Sequence, residues 1–282
     1  IKREQELLRV QKKIQAEMIE ELNEEVKGLK QVPKLVIIQI GDFGPSNKYV
    51  AQKKTVGEKV GIEVEHLRFY EDNTEEEVLL KIDELNNDKN VHGIMVQLPL
   101  PKGFDEDKIT NRVSRKKDVD GLTTENIGRL FDGKDAFTPC TALGVMELFK
   151  RYNIDLKGKH AVILGRSKLV GKPLIACLLN ENATVTVCHS KTENLSAITK
   201  KADILIVAIG KKYFVTKDMV RKGTVVIDVG INVEDGKIYG DVNFDDVKSK
   251  ASYMTPVPNG VGRMTVISLM KNVIKAYQQQ SK

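Results

Sequence analysis

The chain has 282 residues, enough for about two domains at roughly 150 residues each. Hydrophobic residues make up 41% and charged residues 30%, which excludes a disordered or fibrous chain. Lys plus Arg is 45 and Asp plus Glu is 39, a balance of +6. That excess is too mild and too interspersed for a nucleic-acid footprint, yet it suits an anionic small molecule.

The three cysteines, Cys140, Cys177 and Cys188, are odd in number, far apart and without CxxC spacing. That argues against a disulfide scaffold and a structural zinc site. The four histidines show no HExxH spacing, so no metal is expected. No apolar run approaches the length of a membrane span, and the charged opening residues lack a signal-peptide core. The expectation is a chain that starts inside its expressed form and works in a reducing cytoplasm, with no membrane and no nucleic-acid partner.

The elements alternate along the chain. Residues 3–29 carry apolar side chains at helical spacing, from Leu7 to Val26, and read as one amphipathic helix. Lys34–Ile40 is a near-continuous β-branched run, as in a strand covered on both faces. A turn at Gly41–Asn47 leads to a helix ending at Gly61, a strand at 62–69, and a helix at 74–86 opened by Asn73 or Thr74 with Glu77 as capping box. The strand Gly93–Gln97 stops at two prolines. A loop-rich stretch with short helices near 105–113 and 124–131 precedes a helix at about 141–152. A second run follows: strand 160–164, helix 171–181, strand 184–188, helix 193–201, strand 203–208, a segment at 217–222 and strand 224–228. A strand near 251–254 leads through a Pro/Gly loop to a terminal helix from about 262. Two strand–helix runs imply two α/β domains with parallel sheets, divided near 140–158.

In the second run, Gly165 closes a strand and Gly171 opens a helix, a variant of the phosphate-binding turn. A P-loop is disfavoured, because five residues separate the glycines and Pro173 follows Lys172. An ordinary basic turn remains the plainer alternative for this loop alone. The next strand ends in Cys188-His189-Ser190, without the acid that accepts from a ribose 2′-hydroxyl. With Arg166 nearby, these donors favour a 2′-phosphate, hence NADP. Ala208-Ile209-Gly210 and Asp228–Asn232 end later strands, where a nicotinamide pocket or simple tight turns fit equally.

In the first run, Tyr49 and Lys53 stand at i and i+4 on one helical face. A partly desolvated lysine serves as acid or base near neutral pH, but on spacing alone a solvated basic face is the plainer reading. Gln97 ends its strand before a stiff loop, and Asp118-Val119-Asp120-Gly121 is a turn whose carboxylates suit an aminopyrimidine ring such as a pterin. Turn chemistry alone is the alternative for each.

Seven motifs in register then bring a family into view. They are Ser46-x-x-Tyr49-x-x-x-Lys53, Val96–Pro101, Lys117–Gly121, Thr138–Thr141, Gly165-Arg166-Ser167-x-x-Val170-Gly171-x-Pro173, Cys188–Ser190 and Thr255–Thr265. The chain resembles the bifunctional methylenetetrahydrofolate dehydrogenase/cyclohydrolase family from about residue 15 to 277. The resemblance implies an N-terminal catalytic α/β domain (1–140) with the C-terminal helix (263–282) packed back on it, and a Rossmann-type NADP-binding domain (141–262). It implies oxidation of 5,10-methylenetetrahydrofolate with NADP⁺, then hydrolysis of the methenyl product to 10-formyltetrahydrofolate, in a homodimer serving one-carbon metabolism and purine biosynthesis. Lys53 matches the catalytic lysine, Tyr49 the tyrosine that orients the folate, Gln97 the glutamine that tunes the lysine, and Asp120 the pterin anchor. Leu98, Pro258 and Gly262 join Tyr49, Lys53, Gln97 and Asp120 on the folate. Arg166 and Ser190 match the pair on the 2′-phosphate, and Gly165, Ser167, Val170, Gly171, Ala208, Ile231 and Thr265 complete the cofactor set.

Two positions depart from the family loop, Asn259 and Arg263, and asparagine tolerates the left-handed backbone that glycine would adopt there. The opening residues differ from the short strand-like segment usual in the family. A monofunctional dehydrogenase, an NAD user and a dinucleotide-binding protein without turnover are the alternatives; Lys53 argues against the first and the missing strand-end acid against the second.

Overall fold

In a computed structural model the described residues are 2–70 and 72–281, with side chains from Gln11 onward. The element order is α1 (Lys2–Lys27), β1 (Lys34–Ile40), α2 (Gly44–Val60), β2 (Glu63–Phe69), α3 (Glu75–Asn87), β3 (Gly93–Val96), α4 (Glu106–Arg112) and α5 (Thr124–Phe131). It continues with α6 (Cys140–Arg151), β4 (His160–Leu164), α7 (Gly171–Asn180), β5 (Thr184–Cys188), α8 (Leu195–Thr199), β6 (Ile204–Val207) and β7 (Val225–Asp228). Last come β8 (Asn232–Glu234), β9 (Lys237–Tyr239), α9 (Phe244–Val247), β10 (Tyr253–Met254) and α10 (Val261–Gln280). These elements form two compact units. The first holds Ala16–Cys140 and the chain from Val266 onward; the second holds Thr141–Thr265 with the opening residues up to Gln15.

The first unit is built on a parallel sheet in the order β2-β1-β3. The apolar run of β1 explains its central place: Leu35, Val36, Ile37 and Ile38 are fully buried, each worth about 1.5–3 kcal/mol against an exposed side chain. The expected capping box of α3 is present, with Thr74 accepting from the Glu77 N–H and Glu77 from the Thr74 N–H. Helix α2 ends where expected, at Gly61 in the left-handed region. The C-terminal part of α10 packs within this unit. Asn272 Nδ2 donates to the Val119 and Thr138 carbonyls at 2.8 and 3.0 Å, Lys275 pairs with Asp135 at 2.6 Å, and the Tyr277 ring lies 4.9 Å from that of His92.

The second unit carries a five-stranded parallel sheet in the order β10-β7-β6-β4-β5. Counted within the unit, this is the doubly wound order 2-1-3-4-5, in which the direction of strand addition reverses between β4 and β6 while all strands stay parallel. The sheet interior is dominated by buried β-branched and leucine side chains from Val162, Leu164, Leu205, Val207 and Val226.

The departures from sequence expectation are local. The helix expected at 193–201 shortens to Leu195–Thr199, opened by Asn194 with a left-handed φ of 51°. The segment at 217–222 is a 3₁₀ turn over Lys217–Met219. The hairpin β8–β9 was not anticipated. Its turn, Asp235-Gly236, has positive φ at both residues, as a tight hairpin requires. Its strands have three residues each, too short to show alternation.

Asn272 supplies one amide to two backbone carbonyls of the first unit. Asn272→Ala is expected to cost about 1–3 kcal/mol, the penalty of unpaired buried acceptors. Urea unfolding reads this; an unchanged midpoint would remove Asn272 as a brace.

Candidate active site

The carboxyl end of β1 passes through Gly41, at φ 78°, into α2. This places Tyr49 and Lys53 on one face of α2, and the solvated-face reading fails. Lys48 and Lys54 are exposed, whereas Lys53 is only 6% exposed, and Tyr49 at its side is 39% exposed. The Lys53 Nζ donates to Gln97 Oε1 at 2.6 Å. Gln97, buried directly after β3, turns its Nε2 to the Leu98 carbonyl at 2.8 Å. That second bond settles the amide's orientation, since the opposite one would set donor against donor at Lys53 and acceptor against acceptor at Leu98. The Leu98–Pro99 peptide that follows is cis.

Asp120 completes this group. Its turn is locked by Asp118, whose carboxylate accepts from the Leu122 and Thr123 N–H groups, the Thr123 hydroxyl and Asn126 Nδ2 at 2.7–3.2 Å. Gly121 has φ 69°, and a side chain there would lie 2.6 Å from the Phe137 carbonyl. Burial holds the Lys53 amine below the usual lysine range, with the Asp120 and Cys140 charges opposing. Burial likewise pushes the Asp120 carboxyl up, against the pull of Lys53. The Cys140 thiol lies against Asp120 and is raised well above the ordinary thiol range, first by burial and then by that carboxylate. Both shifts at Lys53 and Asp120 favour neutral forms, so the amine has a lone pair accessible nearer to neutral pH than an exposed lysine would. Such a group accepts or returns one proton at a fixed point.

In the second unit a cavity of about 530 Å³ lies at the β4/β6 switch point, within the size range of cofactor sites. The loop after β4 contributes Gly165, Arg166 and Ser167; the loop after β5 His189 and Ser190; the loop after β6 Ala208, Ile209, Lys211 and Phe214. The glycines are steric requirements. At Gly165, φ 116°, an added Cβ would lie 2.2 Å from the Ala208 carbonyl, and at Gly171 it would lie 2.4 Å from the Gly165 carbonyl. Ser167 Oγ accepts from the Val170 N–H at 3.2 Å and so shapes the turn into α7. Arg166 and Lys211 are among the lining residues and no carboxylate is. This donor set fits an anionic dinucleotide with a phosphate on its ribose.

Gly171 and Val170 shape this loop without lining the cavity, and Ile231 and Thr265 also lie outside its lining. A Cβ on Gly262 would lie 4.0 Å from the Ile231 side chain, which brings those two positions together. Thr265 Oγ1 bonds to the Val261 carbonyl at 3.2 Å. Pro258 follows a cis peptide, and Asn259 next to it adopts φ 77°, the left-handed backbone foreseen for it. Sequence reasoning assigned no role to Lys211 or Phe214, which carry no motif signal, nor to the Cys140 thiol beside Asp120. Among the described residues no cluster of His, Cys, Asp or Glu is set to hold a metal, and no helix is long and apolar enough to cross a membrane.

Two family models match the chain in turn. Residues 9–120 match the catalytic domain of tetrahydrofolate dehydrogenase/cyclohydrolase, and residues 139–281 match its NAD(P)-binding domain. The bifunctional protein FolD of Bacillus anthracis is 51% identical over 260 residues, 91% of either chain. The crystal structure of the bifunctional FolD dehydrogenase/cyclohydrolase from Campylobacter jejuni superposes with a TM-score of 0.94 at 46% identity, covering 95% of this chain and 97% of that one. A Trypanosoma brucei FolD, solved with NADP cofactor and an inhibitor, gives 0.89 at 34% identity over 97% of this chain and 96% of that one. The chain belongs to the tetrahydrofolate dehydrogenase/cyclohydrolase family.

Proposed function

We propose that this protein oxidises 5,10-methylenetetrahydrofolate to the 5,10-methenyl cation with NADP⁺ and hydrolyses that cation to 10-formyltetrahydrofolate. The buried Lys53–Gln97 pair beside Asp120 carries the reading, because a solvated basic helix has no use for it. Bound NADP⁺ supplies the hydride acceptor, and the first step needs no general base because hydride loss leaves a delocalised cation. Arg166 and Ser190 bind the 2′-phosphate, while Gly165, Ser167 and Gly171 let the backbone approach the pyrophosphate.

The second step needs a water and a managed proton. Water attacks the methenyl carbon, the Lys53 amine takes its proton, and the carbon–N5 bond breaks as N5 is protonated; one proton is released overall. Gln97 Oε1 fixes one N–H of Lys53, which confines the lone pair of the neutral amine to the two remaining positions on Nζ. Tyr49 covers the folate from the exposed rim and Asp120 holds the pterin. Leu98, Pro258 and Gly262 are the further folate contacts, and Val170, Ala208, Ile231 and Thr265 the further cofactor contacts. In this reading residues 1–140 with 263–282 form the folate domain and 141–262 the NADP domain. The reading extends to a cytoplasmic homodimer that supplies formyl groups for purine biosynthesis; the three free, buried cysteines suit a reducing compartment.

Absorbance can follow reduced cofactor and methenyl product separately in purified protein. The expected result is reduction of NADP⁺ in preference to NAD⁺ with little methenyl build-up. Arg166→Ala should weaken NADP⁺ by about 10–100-fold, the worth of a charged hydrogen bond, and leave NAD⁺ nearly unchanged. No turnover with either cofactor by folded protein would defeat the enzyme reading and favour a dinucleotide-binding protein.

The Lys53 amine should titrate below 10.5, because its cause is burial of the charged form. Asp120 raises it, so Asp120→Asn should lower it further. In the folded protein the neutral amine gains population as pH rises through this lowered value, and the hydrolysis rate should rise with it. Nitrogen-15 NMR of the lysine Nζ measures both; titration in the ordinary lysine range in either protein would contradict the assignment.

A further inference from the structure

The cofactor cavity has one wall with no regular structure, the segment 209–214 after β6, which contributes Ile209, Lys211 and Phe214. Asp241, fully buried just after β9, gathers this segment. Its Oδ2 accepts from the Ile209 and Gly210 N–H groups at 2.7 and 3.0 Å, and its Oδ1 from the Lys211 N–H at 2.8 Å and Asn232 Nδ2 at 2.9 Å. Its backbone carbonyl accepts from Val215 at 3.0 Å, and the carbonyl of Gly240 accepts from Tyr213 at 3.1 Å. Three consecutive amides converging on one carboxylate form a nest whose occupant is part of the chain itself.

Asp241 is itself held. Asp228, at the end of β7, accepts from the Asp241, Val242 and Gly230 N–H groups at 2.9–3.0 Å. The approach leaves no room for side chains: a Cβ on Gly230 would lie 2.1 Å from Asp241 Cγ, and one on Gly240 would lie 1.9 Å from Asp228 Oδ2. Asp241 is not among the residues lining the cavity.

We propose that Asp241 is a positioning residue for NADP⁺, setting the 209–214 wall against the adenosine 2′-phosphate half of the ligand. This rests on the NADP reading above. Asp241→Asn keeps the shape but puts an amide N–H among N–H donors, so the nest opens on at least one side. The hydrolysis of supplied methenyltetrahydrofolate needs no cofactor and serves as the internal control.

In Asp241→Asn the KM for NADP⁺ and the Kd for adenosine 2′,5′-bisphosphate are expected to rise about tenfold or more. The kcat of oxidation should stay within about threefold, with hydrolysis and the KM for folate unchanged. Asn232→Ala, which removes one donor to the same carboxylate, should shift both cofactor constants the same way by a smaller factor. Wild-type cofactor constants in folded Asp241→Asn, or a proportional fall of both activities, would overturn the proposal. If Asp241→Asn does not fold, unchanged constants in Asn232→Ala would do so. Wild-type protein that binds neither NADPH nor the bisphosphate would instead defeat the functional reading itself.

Discussion

An amine kept out of water beside an amide oxygen is the constraint around which the first unit is arranged. Burying a charged ammonium is costly, so the group survives there only with fixed partners and a depressed proton affinity. Lys53 has both: Gln97 accepts from it at 2.6 Å, and burial lowers its proton affinity against the opposing pull of Asp120. Each partner is anchored by something structural. Gln97 sits where β3 ends and is turned by the Leu98 carbonyl, and the Asp120 turn is locked by Asp118. The apolar strand β1, buried from Leu35 to Ile40, supports this arrangement, because it holds β3 on one side and launches α2 from its carboxyl end.

The second unit solves a different problem, the approach of backbone to an anion. Its glycines are placed where strand-end loops nearly touch, and its cations are placed where no carboxylate competes. The two acidic residues behind the 209–214 wall are turned inward. Asp228 and Asp241 spend their charge on backbone amides, and burial pushes Asp228 up to about 7 despite those bonds. The unit thus keeps negative charge behind the wall of the cavity and positive charge in front of it.

Much of this was legible in the residue order. The β1 run, the α3 capping box, the Gly61 stop and the Asn259 left-handed position follow from local chemistry and appear as expected. Lys53 was legible only through its company: spacing alone favoured a solvated face, and the motifs around it pointed to a buried one. The hairpin at 232–239 was hidden because three-residue strands show no period, although Asp235-Gly236 carries a turn signal. The roles of Asp241 and Asn272 were not legible, since each acts through bonds to backbone far along the chain that composition and spacing do not encode.

In the proposed mechanism one buried amine, that of Lys53, serves hydrolysis and is dispensable for hydride transfer. The most direct measurement compares Lys53→Met with wild type, supplying methenyltetrahydrofolate for one assay and methylenetetrahydrofolate with NADP⁺ for the other. Hydrolysis is expected to fall by about 10²-fold or more, the usual contribution of a positioned proton acceptor, while cofactor reduction continues and methenyl product accumulates. Hydrolysis within a few fold of wild type, in folded protein, would contradict it.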